Sequence, residues 1–242
     1  MIAIKLENVT KRYGNVTAVD DVSLEVEEGE LFALLGVNGA GKTTTIKMLS
    51  CLTRPTSGDA YLLGNSVCRE PAAVKSLIAV SPQETAVAPA LTAFENLELM
   101  CGVHGIEKSR RNEKIKELTE LLGLESVINR KAGKLSGGWQ RRLSIAMALI
   151  SEPKILFLDE PTLGLDVIAR SELWEIVRAL KGRVTIILTT HYMEEAEALS
   201  DRIAIMADGK LILCDTAGEI KRIAGTDSFE QAFVKVVKGV RK

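Results

Sequence analysis

Leu31-Phe32-Ala33-Leu34-Leu35-Gly36-Val37-Asn38-Gly39-Ala40-Gly41-Lys42-Thr43 decides the fold. The run Leu31–Leu35 is continuously apolar, the pattern of a strand buried on both faces. After Thr43, apolar residues at Ile46, Leu49, Cys51 and Leu52 follow helical spacing until Pro55 and Gly58 stop it. Between the two, Gly36–Thr43 fits GxxxxGK[ST], and strand before with helix after is the context that gives this pattern its meaning. Gly36, Asn38, Gly39, Ala40 and Gly41 lay backbone N–H groups around a phosphate without side-chain clashes, and the helix N-terminus adds partial positive charge. Lys42 is expected on the β and γ phosphates, the Thr43 hydroxyl on magnesium and Thr44 on phosphate. A dinucleotide site would need GxGxxG with an apolar helix start, and the lysine here rules against it.

Upstream, Ile2, Ile4 and Leu6, and later Val22, Leu24 and Val26, alternate with polar residues as strand patterning does. Downstream, residues 92–151 change to helical patterns, with Ile115, Leu118, Leu121 and Leu122 among charged residues. Buried-strand texture returns at 154–158 and 183–189, separated by a helix over Val167–Leu180. That order predicts a parallel sheet. Ile203–Met206 and Leu211–Cys214 around Asp208-Gly209 predict a hairpin. The end of the chain predicts an amphipathic helix that docks Phe229, Phe233, Val236 and Val237 on the core. The expected fold is therefore α/β: a mainly parallel phosphate-loop NTPase-type sheet flanked by helices, with an antiparallel β subdomain and an inserted helical lobe. We expect one nucleotide-binding domain, with residues 1–91 and 152–220 as NTPase core and β subdomain, 92–151 as the lobe and 221–242 as a C-terminal helix.

Asp159-Glu160 closes the apolar run Ile155–Leu158. A carboxylate at the carboxyl end of such a strand is where phosphate-loop enzymes hold magnesium, so Asp159 is the expected metal residue. Glu160 is placed to orient or deprotonate an attacking water. Leu135-Ser136-Gly137-Gly138 opens a predicted helix with a hydroxyl and two glycine amides, a second anion cradle, and Arg141 and Arg142 are expected to add positive potential beside it.

Composition narrows the partners. Lys and Arg total 31 against 32 for Asp and Glu, a net charge of −1 in 242 residues, so no global positive field gathers nucleic acid. Cys51, Cys68, Cys101 and Cys214 lie scattered, which predicts neither a disulfide framework nor a zinc site. Lys5 and Glu7 interrupt the apolar opening, so no signal peptide is expected. The longest apolar blocks, Leu143–Ile150 and Val184–Leu188, fall short of the roughly 20 residues of a spanning helix.

With these motifs in this order, the chain resembles the nucleotide-binding subunit of ATP-binding cassette (ABC) transporters from about Ile4 to Ala217, and more narrowly the single-domain ATPases of ABC-2-type multidrug exporters. The resemblance implies ATP and Mg2+ as cofactors and further roles by position. Gln83 would sense metal and water and lead into the surface facing a membrane subunit. His191 would contact the γ-phosphate and steady Glu160. Asp166 would cross a dimer interface, and Tyr13 would stack on adenine. Ser136, Gly137 and Gly138 would hold the γ-phosphate of ATP bound to the opposite subunit of a head-to-tail dimer. The implied partners are a second copy or a homologous subunit and a separate transmembrane permease, which would place the chain on the cytoplasmic face of the membrane. Trp139 departs from the glutamine or smaller residue usual at its position, so helix packing or subunit contact there is expected to differ, with binding retained. The competing reading is a soluble ATPase of the same superfamily that clamps nucleic acid or ribosomes. Such proteins carry long coiled-coil insertions or two fused cassettes, and neither pattern occurs here. A GTPase would want a base-reading Asn-Lys-x-Asp, which the sequence lacks.

Overall fold

The computed structural model describes residues 1–240. The chain runs β1 (Ile2–Tyr13), β2 (Val16–Glu27), β3 (Leu31–Gly36), α1 (Lys42–Leu49), β4 (Ser57–Leu62), β5 (Asn65–Ser66), α2 (Pro71–Leu77) and β6 (Ile78–Ser81). Then come α3 (Ala93–Val103), α4 (Lys108–Leu122), α5 (Gly137–Leu149), β7 (Ile155–Asp159), α6 (Val167–Leu180), β8 (Thr185–Thr190) and α7 (Met193–Leu199). β9 (Arg202–Ala207), β10 (Lys210–Asp215), α8 (Ala217–Ala224) and α9 (Phe229–Val240) complete it.

Six strands form one sheet in the order β10-β9-β3-β8-β7-β6, parallel except for β10 at its edge. Every residue of β3, β7 and β8 is buried, as a strand covered on both faces requires. Side-chain parity divides the core. Phe32, Leu34, Phe157 and Ile187 point to one face with Ile46 and Leu49 of α1 and with Ile4, Leu6 and Val22 of the second, antiparallel sheet β2-β1-β4-β5. Leu156, Leu158, Ile186 and Leu188 point to the other, where they meet Leu143 of α5, Leu173 of α6 and helices α3 and α4. The helical segment between β6 and β7 is thus anchored to the sheet face that bears Leu156 and Leu158.

Local rules account for the element ends. Thr92 and Glu95 form a reciprocal capping box at the start of α3. In the turn between β9 and β10, Asp208 and Gly209 have φ of 50° and 80°, both positive as the tightest hairpin turn demands. Three expectations need correction. Ile2 is 46 % exposed, because the β1–β2 register shifts between Ile2 and Ile4 and turns Ala3 and Ile4 inward together. Leu52 is exposed, since α1 ends at Leu49 and the helical period stops before reaching it. The helix expected over 221–242 is broken. α8 ends where Gly225 takes a left-handed φ of 61°, and α9 starts afresh at Phe229, with residues 241–242 outside the described range. Phe229, Phe233 and Val237 bury against Ala33, Leu35 and Ile205, and Val236 packs alongside.

Glu195, fully buried on α7, accepts the indole N–H of Trp174 on α6 at 3.2 Å. Burial pushes its carboxyl above the ordinary carboxylate range, and hydrogen bonds offset this only in part. A raised folded-state value means that its stabilisation is complete below the ordinary range and is lost as pH rises through the shifted value. Glu195→Gln, which keeps the acceptor for Trp174 and cannot ionise, should therefore raise the melting temperature relative to the native chain at pH 8 more than at pH 5. Equal shifts at both pH values in thermal unfolding would refute this.

Candidate active site

β3, β7 and β8 end at the same edge of the parallel sheet, the edge where open α/β sheets bind ligands. The turn after β3 wraps back to start α1 at Lys42. Gly41 sits there with φ of 102°, and a Cβ on it would lie 2.5 Å from the carbonyl oxygen of Ala18. A Cβ on Gly36 would lie 2.5 Å from the carbonyl oxygen of Met206, so close approach of β9 requires that glycine too. Asn38 and Gly39 are exposed at the tip, Ala40 is buried, and Thr43 and Thr44 are half-buried at the helix start.

Lys42 is only 5 % exposed. Its Nζ donates to the Gly36 carbonyl at 2.8 Å and lies 3.6 Å from Oε1 of Glu160. Burial lowers its pKa, and Glu160 and Asp159 act against that shift. The other oxygen of Glu160, Oε2, accepts from Nδ1 of His191 at 2.8 Å. Glu160 thus bridges the lysine of the glycine loop to the histidine beyond β8. Its backbone φ of 47° lies in the left-handed region, which costs a non-glycine residue of order 1–3 kcal/mol and must be held by its surroundings. Thr189 does the holding. The backbone N–H of Glu160 donates to both the carbonyl oxygen (3.1 Å) and the hydroxyl oxygen (3.0 Å) of Thr189. The same hydroxyl donates to Oδ1 of Asp159 at 2.5 Å. Motif reading passed over Thr189; the available signal was a threonine pair interrupting the apolar strand Ile186–Leu188, since a buried hydroxyl needs a partner. We expect Thr189→Val to lower the turnover of ATP about tenfold, roughly 1.4 kcal/mol, with ATP binding retained. Unchanged steady-state turnover in this variant would sink the idea.

The Thr43 hydroxyl donates to Oδ1 of Asp159 at 3.4 Å, which pairs two hard oxygen donors beside the lysine. A small divalent cation that takes one or two protein oxygens and the rest from phosphate and water fits that donor set. Lys42, Thr43, Asp159, Glu160 and His191 therefore meet at one edge.

The other candidate residues stand on separate elements. Gln83 is exposed after β6, and its contact in this structure is through its backbone carbonyl. Tyr13 is 47 % exposed at the end of β1, with the Lys11 ammonium 4.9 Å from its ring centroid. Ser136 is the N-cap of α5, yet its side chain makes no capping hydrogen bond, so the hydroxyl is not spent on its own helix as in an ordinary serine cap. Gly137 and Gly138 follow in the first turn, and a Cβ on Gly138 would press on Ala169 of α6 at 3.0 Å. Asp166 caps α6 by accepting from Ala169 N at 2.9 Å. Arg141 and Arg142, expected to add positive potential beside the cradle, are both engaged in tertiary contacts. Arg141 is buried with its guanidinium on the carbonyls of Pro82 and Gln83, and Arg142 pairs with Glu172 and lies over the ring of Trp139 at 4.6 Å. Trp139 itself packs against the core of the helical segment.

The sequence pattern of the ABC transporter family matches residues 19–163, which span the glycine loop, the Ser136 cradle and the Asp159-Glu160 pair. The chain belongs to the ABC transporter family. Relatives within it include the doxorubicin resistance ATP-binding protein DrrA of Mycobacterium tuberculosis, 44 % identical over 231 residues, covering 94 % of this chain and 70 % of that protein. The probable multidrug ABC transporter ATP-binding protein YbhF of Escherichia coli is 39 % identical over 241 residues, 97 % of this chain and 41 % of its own length. Among solved structures, the ATP-binding subunit of an ABC transporter superposes with a TM-score of 0.85 at 28 % identity, over 97 % of this chain and 99 % of that one. A dimeric post-hydrolysis state of an ATP-binding cassette bound to ADP and phosphate superposes with a TM-score of 0.78 at 29 % identity, over 88 % of this chain and 98 % of that one. The chain is an ABC-type ATPase, an ATP-binding subunit of this family.

Proposed function

We propose that this subunit closes head to tail with a second copy, or with a homologous ATP-binding subunit, around ATP and drives export through a separate membrane permease. The chain Lys42–Glu160–His191 beside Thr43 and Asp159 carries this reading. In it, phosphate oxygens compete with Glu160 for the Lys42 ammonium. Once Lys42 turns to phosphate, Oε1 of Glu160 is free to take the proton of an attacking water while His191 keeps Oε2 in place. Magnesium on Thr43 and Asp159, with Gln83 as the further candidate, would neutralise charge on the β and γ phosphates. Tyr13 is the exposed ring on which adenine stacks.

Ser136 and Gly137 are exposed and Gly138 is half-buried at the start of α5, an element other than the one that bears Lys42, which suits a phosphate presented by the opposite subunit. Asp166 and the exposed Val167 and Ile168 then lie along the contact between subunits. ATP held by both halves closes the dimer, and loss of its γ-phosphate loosens it. Among the described residues no helix is long and apolar enough to cross a membrane, so the reading needs a partner that supplies the pathway. The segment from Gln83 to Phe94, with the exposed Leu99 and Val103 of α3, is the proposed docking face, on the cytoplasmic side of the membrane. Relatives named for drug resistance and multidrug transport favour export and disfavour a nucleic-acid or ribosome clamp. Capture of the Glu160→Gln chain with magnesium ATP from detergent-solubilised membranes of its own cells tests the proposal. A polytopic membrane protein is the expected companion. Ribosomes, nucleic acid or a homodimer alone would overturn the transport reading.

A further inference from the structure

Arg141 lies just over one turn into α5 from Ser136, and at 4 % exposure its guanidinium is turned away from the surface. Nη1 donates to the carbonyl of Pro82 at 2.6 Å and Nη2 to the carbonyl of Gln83 at 2.5 Å. One turn further on, the hydroxyls of Ser144 and Ser81 share a buried hydrogen bond of 3.2 Å. Helix α5 is thus stitched at two places to the end of β6 and the first residues of the Gln83 loop. Burial lowers the guanidinium's pKa, and the carboxylate of Asp159 works against that shift.

The fork geometry gives this contact its consequence. Two N–H groups in one rigid plane, each on a successive backbone carbonyl, fix both the distance and the orientation of the loop relative to the helix. A lysine ammonium is a point charge on a flexible stem and imposes no such plane. The same helix carries Ser136–Gly138 at its N-terminus, while Gln83 is proposed above to serve the site of its own Lys42.

We infer that Arg141 is a positioning residue that locks Gln83 to the helix bearing Ser136, so that Gln83 enters its own ATP site together with the seating of Ser136 on the ATP of the opposite subunit. This rests on the two-site dimer proposed above. Each subunit then reports the closure of one site to the other through one side chain, without a mobile intermediary.

A double-mutant cycle on the full chain tests it, with steady-state hydrolysis of magnesium ATP measured for the native chain, Arg141→Gln, Gln83→Ala and the double variant. Each single change should lower kcat about tenfold with KM for ATP within about twofold, and the double variant should fall no further than Gln83→Ala alone. Losses that multiply to about a hundredfold would show that Arg141 acts independently of Gln83 and overturn the inference. Native turnover in Arg141→Gln would do the same. Arg141→Lys enters the same cycle and covers the case in which the glutamine variant fails to fold. It keeps the charge and loses the fork, so its kcat should also fall, again only when Gln83 is present. Native turnover in Gln83→Ala would remove the proposed role of Gln83 and this inference with it. A tenfold loss in Gln83→Ala with multiplying effects would remove the inference alone.

Discussion

Glu160→Gln should lower ATP turnover by about 10²–10⁴-fold, the range a positioned general base contributes, while nucleotide binding persists. The amide keeps the shape of the side chain and an oxygen for His191, and its loss is confined to charge and proton affinity. Because Glu160 also faces Lys42 at 3.6 Å, the variant removes an anion that competes with phosphate for the ammonium. ATP affinity should therefore be equal to or higher than that of the native chain. Binding without turnover should accumulate the ATP-bound dimer, visible as a shift to the dimer position on gel filtration with magnesium ATP and absent with ADP. A Glu160→Gln chain that hydrolyses ATP at the native rate would sink the base assignment. Loss of ATP binding would mean that the carboxylate organises the glycine loop instead.

The legibility of the site in the sequence follows from how local each determinant is. The glycine loop could be read because a turn with φ of 102° at Gly41 and a backbone 2.5 Å from the missing Cβ leaves few residue choices. β3, β7 and β8 could be read because burial on both faces demands an unbroken apolar run. β6, only Ile78–Ser81, is too short for such a run to stand out, and the position of Gln83 after it had to come from family resemblance. The break at Gly225 is a conformational event at one residue inside an otherwise amphipathic pattern, and periodicity alone carries the eye across it. The partners of Arg141 and Arg142 are not legible for a different reason. Charge next to an anion cradle reads as electrostatics, whereas the direction of each side chain is set by tertiary partners: two carbonyls 58 and 59 residues away for one, Glu172 and Trp139 for the other. Thr189 escaped for the same reason, since its hydroxyl serves residues of β7 and the turn after it, roughly thirty positions upstream.

Lys42→Met should have a comparably large effect on turnover, and unlike Glu160→Gln it should weaken binding as well. The substitution preserves most of the volume of a side chain that is 5 % exposed and deletes its only charge. In the native chain burial works against that charge and Glu160 and Asp159 work for it, so the ammonium is held in place by anions, and a triphosphate offers a denser set of them. Without Nζ, the Gly36 carbonyl loses its 2.8 Å donor and the Glu160 carboxylate keeps, among the described residues, only His191. Phosphates arriving at the loop would then meet backbone amides and an uncompensated carboxylate. Loss of one preorganised cation at a site of developing charge costs about 10²–10³-fold in turnover, and here repulsion from Glu160 adds to it. The double variant Lys42→Met with Glu160→Gln separates the two contributions. Removing the carboxylate should restore part of the ATP affinity lost with the lysine, measured by equilibrium titration with ATP, and should restore none of the turnover. If ATP affinity in the double variant is no better than in Lys42→Met, the Lys42–Glu160 contact plays no part in admitting phosphate, and the release of Glu160 by ATP must be abandoned as the first step of the cycle.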